Sequence, residues 1–278
     1  MWRDPYSYTL NFTGGNLVPL NGSIGLNVDI DRESDFALYR IAAIHTSPNY
    51  RVQIRDQDDR LILGGATPSV NIFGHGQWPY RLDAAKIVRR TNQIRVVLTD
   101  ASGANNTVRL LFSGANLFSA PPFTIPQFVA VEPFVLTFNY GGEVTDDLPA
   151  IAANGALPGS RRTPGDSWFE CYRLTLSATS VTAAAGGTLQ IATNAFREWF
   201  RNPVHFALLG GCDFVGNYQG IDTPNNPHAP FAFEFNPPKL LPPSTQVSFT
   251  VADLSGAPLS CRITLHGLRR YTAEQVPG

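Results

Sequence analysis

The chain has 278 residues, of which 43% are hydrophobic and only 15% are charged, and its formal net charge is −1. A chain of this length can form two domains of ordinary size, each with its own core. The nearly neutral charge argues against a basic surface for nucleic acid, so we expect no direct nucleic-acid partner. The 24 glycines and 22 prolines indicate many turns and little long helix.

No apolar stretch has the length of a signal-peptide core or of a membrane-spanning helix. We therefore expect a soluble chain that is made in the cytosol and has no membrane partner. The three cysteines, Cys171, Cys212 and Cys261, fit no C-x-x-C spacing. They are predicted to be free and mostly buried thiols rather than parts of a disulfide framework.

Short strand-like runs follow one another along the chain, separated by turns rich in glycine, proline and polar residues. In the first half they include Tyr8–Phe12, Ala37–Ile44 and Tyr50–Ile54, and in the second half Val204–Leu209. Runs of this length with alternating or continuous apolar residues are typical of β-strands. The polar segment Asp56–Arg60 is predicted to be a hairpin turn, which we prefer to the alternative of a calcium site.

The segment Ile94–Gly114 predicts a β-hairpin with one buried face. Apolar residues stand at alternate positions on both sides of Asp100-Ala-Ser-Gly103. The aspartate side chain of such a turn accepts local backbone N–H groups, and the glycine can adopt a positive φ angle.

This hairpin recurs without a gap at Val247–Gly267. The identical residues include the Asp, Ser, Gly and Ala of the turn and the closing glycine, and every buried-face position is apolar in both segments. The same register places Lys86 over Lys239, which are the only lysines in the chain. We therefore predict an internal duplication. Upstream, Tyr8–Phe12 resembles Tyr172–Leu176, an alignment that gives the first copy the longer middle loops.

Each copy contains roughly six to eight short strands, the pattern of a sandwich or jelly roll. The sequence thus predicts an all-β protein of two tandem antiparallel β-sandwich domains that are jelly-roll-like. We assign residues 1–127 to the first sandwich and residues 128–278 to the second. Residues 128–165 are predicted as a linker rich in Pro, Gly and Ala, in which the alternating run Phe134–Tyr140 forms a strand that bridges the copies.

No sequence pattern indicates a catalytic or metal site. The five histidines are scattered, and the chain has neither a G-x-S-x-G elbow nor a phosphate-binding G-x-x-x-x-G-K-[ST] loop. We predict that the protein is not an enzyme and uses no cofactor or metal. The candidate binding residues are instead Trp78, His75 and Tyr80, in a loop rich in Gly and Pro. Tryptophan in such a loop can anchor a protein contact, which we favour, or stack on a sugar.

Several segments together carry a resemblance to a known class of protein: Asp4–Tyr8, Asp35–Tyr39, Tyr50–Ile54 before a polar turn, and Asp-x-Ser-Gly-Ala before a last strand that contains Gly114. In this pattern the chain resembles the virion structural proteins of tailed bacteriophages, in particular small β-rich head or tail accessory proteins.

The resemblance implies a non-enzymatic virion protein, assembled in the host cytoplasm, that binds and stabilises the phage head as a decoration (cement) protein. Its implied partners are the major capsid protein or other virion proteins, and the chain is expected to form a homo-oligomer. One alternative is a collar or tail structural component. Another is a glycan-binding β-sandwich adhesin that uses Trp78.

Overall fold

The computed structural model describes residues 1–63, 65–73, 79–141, 147–178, 186–194, 198–210 and 232–275. Eight strands lie in the first half of the chain: Trp2–Phe12 (β1), Ser23–Asp29 (β2), Asp35–His45 (β3), Tyr50–Arg55 (β4), Thr67–Pro68 (β5), Tyr80–Val88 (β6), Gln93–Asp100 (β7) and Val108–Phe118 (β8). Eight lie in the second half: Ala130–Tyr140 (β9), Ala156–Arg162 (β10), Trp168–Ala178 (β11), Gly187–Thr193 (β12), Val204–His205 (β13), Phe233–Leu241 (β14), Gln246–Asp253 (β15) and Cys261–Tyr271 (β16). One α-helix, Phe206–Gly210 (α1), and two 3-10 turns, Gly14–Asn16 and Ser69–Asn71, complete the described elements.

The strands form four antiparallel four-stranded sheets. The first half contains β1-β8-β3-β6 and β2-β7-β4-β5, and the second half contains β9-β16-β11-β14 and β10-β15-β12-β13. The two halves therefore repeat one strand order, in which each sandwich is a jelly roll of eight strands. We call them jelly roll 1 and jelly roll 2. The prediction of an all-β protein with two antiparallel sandwiches is confirmed.

Alternation along the strands produces two hydrophobic cores. In β7, for example, Ile94, Val96 and Leu98 are fully buried, while the residues between them are exposed or half-buried. This is the pattern expected of a strand with one face on a core. One core cluster lies within jelly roll 1. The other lies in jelly roll 2 and also includes Ala42, Ile44 and Leu111 of jelly roll 1.

The hairpin alignment is confirmed by the pairing register, but the upstream alignment is wrong. Leu38 of β3 pairs with Lys86, and Cys171 of β11 pairs with Lys239, so the two lysines occupy equivalent places. Strand β11, which contains Tyr172, lies between two strands as β3 does, whereas β1, which contains Tyr8, lies at a sheet edge. The counterpart of β1 is β9. Alternating apolar residues fit any strand of the fold, so a short match does not identify which strand it is.

The connection lengths and one element also differ from expectation. The connection between β13 and β14 spans residues 206–232, whereas that between β5 and β6 spans 69–79, so here the second copy has the longer connection.

In the run Val204–Leu209, only the first two residues form a strand, and the rest belong to α1. A continuous apolar run has no period that separates strand from helix.

Residues 128–165 contain β9 and β10. Strand β9 pairs along its whole length with β16, from Ala130 opposite Tyr271 to Tyr140 opposite Cys261. It is therefore a strand of jelly roll 2 rather than a bridge between the copies. The division of the chain between residues 127 and 128 stays a prediction.

The two hairpin turns have the same hydrogen bonds. At the first, Oδ1 of Asp100 accepts the Ser102 N–H at 2.9 Å and the Ser102 hydroxyl at 2.6 Å. At the second, Asp253 accepts the same two groups of Ser255 at 2.9 and 2.6 Å. The following glycines have φ angles of +73° and +75°. The predicted turn chemistry is present in both copies.

These bonds predict an acid-sensitive step in folding. Hydrogen bonds from Ser102, Asn21 and Gly103 lower the pKa of Asp100 to about 2, from a usual value of 3.8. Burial of Asp253 opposes ionisation, but the bonds from Ser255, Asn154 and Gly256 outweigh it and lower its pKa too. A lowered pKa contributes stability above the unfolded-state pKa that is lost as the pH falls towards the folded-state value.

We expect the free energy of unfolding, measured with urea, to fall between pH 4 and pH 2. In Asp100→Asn this fall should be shallower, and the stability at pH 6 lower, than in the unchanged protein. Asp58→Asn, which changes a carboxylate in an exposed stretch of another turn, serves as the control. An Asp100→Asn curve parallel to that of the unchanged protein would contradict the assignment.

A close backbone approach occurs at the same place in both jelly rolls. Strands β3 and β11 each have an irregularity in register, between Leu38 and Arg40 and between Cys171 and Arg173. Gly114 of β8 pairs with Leu38. A Cβ atom on this glycine would lie 1.9 Å from the Ala37 carbonyl oxygen, and one on the equivalent Gly267 would lie 2.1 Å from that of Glu170. Only glycine fits at such a distance.

We predict that Gly114→Ala and Gly267→Ala each reduce the free energy of unfolding by about 3 kcal/mol, because backbone must move to admit the methyl group. The control is Gly25→Ala, where the added Cβ would lie 3.6 Å from its nearest neighbour, an ordinary contact. Urea unfolding at neutral pH measures all three variants. Equal effects at the three positions would refute the steric explanation.

Candidate assembly interface

The structure describes only part of the predicted binding loop. Trp78 and His75 lie outside the described residues. Tyr80 is the first residue of β6, pairs with Ile41, and packs half-buried against the core of jelly roll 1. A binding role for these three residues stays a prediction.

The remaining sequence candidates for chemistry have structural roles where they are described. The carboxylate of Asp56 accepts the Lys86 ammonium at 2.7 Å and the Arg60 N–H at 2.9 Å, within a tight turn. Cys171 and Cys261 are free and buried, and Cys212 lies outside the described residues. Within the described ranges no group of three or more His, Cys, Asp or Glu side chains could hold a metal ion. No helix in the described ranges is long and apolar enough to cross a membrane.

The outer face of the β1-β8-β3-β6 sheet is covered by jelly roll 2. Residues Pro5 and Ser7 of β1, Tyr39 and Arg40 of β3, and Ser113 of β8 face Trp199, Phe200 and Phe233–Asn236 across a small cavity of about 180 Å³. Backbone hydrogen bonds join the two sides: the Ser7 N–H donates to the Trp199 carbonyl at 3.3 Å, and the Arg201 N–H donates to the Ser7 carbonyl at 2.9 Å.

Ion pairs also cross this boundary. The Lys239 ammonium, 1% exposed, donates to both carboxylate oxygens of Asp4 at 2.7 and 2.6 Å. Arg40 donates to the Glu234 carbonyl, and its guanidinium lies 4.8 Å from the ring centre of Phe233. Burial lowers the pKa of Arg40 to about 10. Charges this deep are tolerated only when they are paired.

The two equivalent lysines offer a direct comparison. We predict that Lys239→Met lowers the free energy of unfolding by about 3–5 kcal/mol, because it leaves Asp4 buried without its partner. Lys86→Met removes a more exposed pair with Asp56 and should cost about 1 kcal/mol or less. Urea unfolding of both variants checks this.

Adding Asp4→Asn to Lys239→Met should recover part of the loss, because the unpaired charge is then removed as well. A Lys239→Met protein as stable as Lys86→Met would show that the buried pair is unimportant.

The equivalent face of jelly roll 2 is an open groove of about 690 Å³. The pairing registers map its lining onto the covered face: Pro133 onto Pro5, Val135 onto Ser7, Tyr172 onto Tyr39, Arg173 onto Arg40, His266 onto Ser113 and Gly267 onto Gly114. Here Val135 is 52% and Tyr172 37% exposed. One repeat thus has its outer face covered, and the other presents the same face uncovered among the described residues.

Sequence reasoning did not find this groove. Its residues come from four strands, and only the strand order shows that they share a face. Val135 did carry a signal, because it is an apolar residue at an outward position of an alternating strand. The run was predicted to be a strand that bridges the two copies, and a strand placed between them would leave Val135 covered rather than exposed.

Comparison with solved structures finds similar chains at low sequence identity. The major capsid protein P2 from Bacteriophage PM2 aligns over 97% of this chain and 100% of its own, at 9% identity and a TM-score of 0.28. The STIV MCP aligns over 96% of both chains, at 10% identity and a TM-score of 0.31. The sequence matches no protein-family model and no curated protein.

Both TM-scores are low, so the fold assignment rests on the strand order and register of this chain. Neither similar protein is described as a tailed-phage decoration, collar or tail protein. The tailed-phage origin expected from the sequence stays a prediction, and the strand order of the chain itself shows a double jelly roll.

Proposed function

We propose that the chain is a structural protein of a viral capsid, whose copies assemble side by side through the open groove of jelly roll 2. The observation that carries this proposal is the equivalence of the covered and open faces. Within one chain, the face of jelly roll 1 is buried by elements of jelly roll 2. A second copy can bury the matching face in the same manner.

The duplication also indicates which part of the second copy would enter the groove. In jelly roll 1 the face contacts the beginning of β14, from Phe233 to Asn236. The hairpin register makes the beginning of β6, from Tyr80 to Asp83, the counterpart of that segment. We therefore propose that β6 of one copy packs into the groove of the next. Tyr80, a predicted binding residue, would lie in this contact.

This arrangement is a head-to-tail contact, in which two different surfaces of identical chains meet. Such contacts produce closed rings when the rotation between neighbours closes, and open helical filaments when it does not. A closed ring of this kind can serve as the building unit of a shell. The exposed apolar side chains of Val135 and Tyr172 are the residues that a neighbour would withdraw from water.

We predict that Val135→Arg prevents assembly without unfolding the protein, because its charge would be buried unpaired in the contact. Analytical ultracentrifugation and electron microscopy of purified protein measure the assemblies, and circular dichroism checks the fold. Val70→Arg is the matched control, since Val70 is 63% exposed in a turn outside the groove. Assemblies of unchanged size and yield in Val135→Arg would refute the proposed contact.

The narrower role of a decoration protein makes a different prediction in the same experiment. A decoration protein should bind preformed shells of another protein and should not form ordered assemblies alone. A collar or tail component should be present in few copies per virion, which quantitative mass spectrometry of purified particles can count. Ordered assemblies of the purified chain support the shell role over both.

A further inference from the structure

Strand β1 uses its outer edge to bind jelly roll 2. Its other edge pairs with β8 along the whole strand. At Ser7 the N–H donates to the Trp199 carbonyl at 3.3 Å, and the Ser7 carbonyl accepts the Arg201 N–H at 2.9 Å, which forms a short parallel bridge. Both backbone groups of Ser7 therefore point away from β8, as those of alternate residues in an edge strand do. The contact between the jelly rolls thus includes a short stretch of strand pairing.

The equivalent edge of β9 is open at Val135. The register of β9 with β16 repeats that of β1 with β8, so Val135 corresponds to Ser7. Four residues later, the Asn139 N–H donates to the Asp147 carboxylate at 2.8 Å, and the Asn139 carbonyl accepts the Leu148 N–H at 3.1 Å. Alternate residues of β9 thus direct their backbone groups away from β16. The N–H and carbonyl of Val135 point to the same edge, where no described residue pairs with them.

Jelly roll 1 contains the counterpart of the segment that covers Ser7. Ile54 and Ile191 are equivalent, because they pair with equivalent residues of β7 and β15. The Trp199 N–H donates to the Ile191 carbonyl at 2.8 Å, and the Ile62 N–H donates to the Ile54 carbonyl at 2.9 Å. Ile62 is therefore the counterpart of Trp199, whose carbonyl accepts the Ser7 N–H.

The burial of the neighbouring apolar residues follows the same correspondence. Trp199, Phe233 and Phe235, which face the covered sheet of jelly roll 1, are 1%, 6% and 7% exposed. Their counterparts in jelly roll 1 are only half-buried: Ile62, Tyr80 and Leu82. The set that is buried within the chain in one half is thus partly exposed in the other half. That half-buried set is the surface that a neighbouring copy can cover.

We propose that Ile62 of one copy pairs with the edge of β9 in the next copy, where its carbonyl accepts the Val135 N–H. This inference rests on the proposed function, because it adds a backbone hydrogen bond to the contact in the same groove. Addition of a segment to an exposed sheet edge gives affinity through main-chain bonds. Pro133, which has no N–H, lies two residues earlier on the same edge and limits the pairing to a short stretch.

Proline at position 135 tests the bond. Val135→Pro removes the N–H but keeps an apolar side chain larger than that of Val135→Ala, which keeps the N–H. A contact made only by side chains would be weakened less by the proline. We expect the opposite order, because the proline leaves the Ile62 carbonyl buried without a donor. The protein concentration needed for assembly, measured by analytical ultracentrifugation, should be at least about tenfold higher for Val135→Pro than for Val135→Ala. An equal or lower concentration for a folded Val135→Pro protein would overturn the proposal.

Val131→Pro is the matched control. Val131 lies on the same edge of β9, at an alternate position like Val135, and Pro133 between them shows that the strand accommodates proline there. Its counterpart Arg3 makes no backbone hydrogen bond with the described part of jelly roll 2. Val131→Pro should therefore assemble like the unchanged protein. Circular dichroism and urea unfolding check the fold of both variants, and an equal loss of assembly in both would refute the assigned bond.

Hydrogen exchange of the unchanged protein tests the same bond if Val135→Pro does not fold. Mass spectrometry with electron-transfer fragmentation compares single amides between assemblies and the same protein diluted below its assembly concentration. The Val135 amide should exchange at least about tenfold more slowly in the assemblies, because a hydrogen-bonded amide must open before it exchanges. Equal exchange in the two states would overturn the proposal. Protection found only in whole virions, and not in assemblies of the purified chain, would assign the edge to another protein and would overturn it too.

Failure of this inference and failure of the proposed function give different results. If Val135→Arg blocks assembly while the Val135 amide stays unprotected, the groove is the contact and the strand pairing is wrong. If the purified chain forms no ordered assemblies, or if Val135→Arg assembles normally, the proposed function fails and the strand pairing fails with it.

Discussion

The ion pair between Lys239 and Asp4 joins the two jelly rolls at a buried point, where the lysine is 1% exposed. A buried charge is stable only beside its partner, so the pair fixes where β14 lies against β1. Around it, the backbone bonds of Ser7 and the packing of Trp199 and Phe200 cover the outer face of the first sheet. The open groove of jelly roll 2 is the equivalent face of the second repeat, which nothing covers among the described residues.

The duplication explains why the two halves have the same fold, and it makes visible that their equivalent outer faces differ in exposure. Positions that form the fold are the same in both copies, as with Asp100 and Asp253 in the turns and Gly114 and Gly267 at the close approach. The covered and open faces also share most of their residues, and they differ at two of the six mapped positions. There Val135 replaces Ser7 and His266 replaces Ser113. One scaffold thus provides an internal contact and, as we propose, an external one.

The fold class could be predicted because its main signals are local. Alternating apolar residues and the Asp-x-Ser-Gly turn depend on a few neighbouring residues, and the repeat doubled that evidence. The matching of β1 could not be predicted in this way. Its alternation fits an edge strand and a central strand equally well. Only the pairing distinguishes them, because β1 pairs with β8 alone whereas β3 pairs with both β8 and β6. The counterpart of Tyr8 is accordingly Leu136 in β9 rather than Tyr172.

The candidate interface was harder to predict for a related reason. The groove combines residues from distant parts of the chain, such as Val135, Tyr172 and His266. Their shared face becomes visible only when the strand order is known, because the comparison between Ser7 and Val135 requires the register of two edge pairs. The sequence did single out Tyr80, through its unusual loop, although it gave no indication of which surface that residue would meet.

Coverage of the first sheet by the second half of the chain has a consequence for synthesis at the ribosome. Strands β1 to β8 are complete at Phe118, but the residues that cover the outer face of the first sheet, Trp199, Phe200 and Phe233–Asn236, are made much later. Until then the growing chain exposes to water Ala42, Ile44 and Leu111, which belong to the core of jelly roll 2 in the folded chain. Such exposed apolar surface promotes premature association. The groove also needs β9, β11, β14 and β16, the last of which ends at Tyr271. Attachment to a neighbour through that groove must therefore wait until nearly the whole chain has been translated.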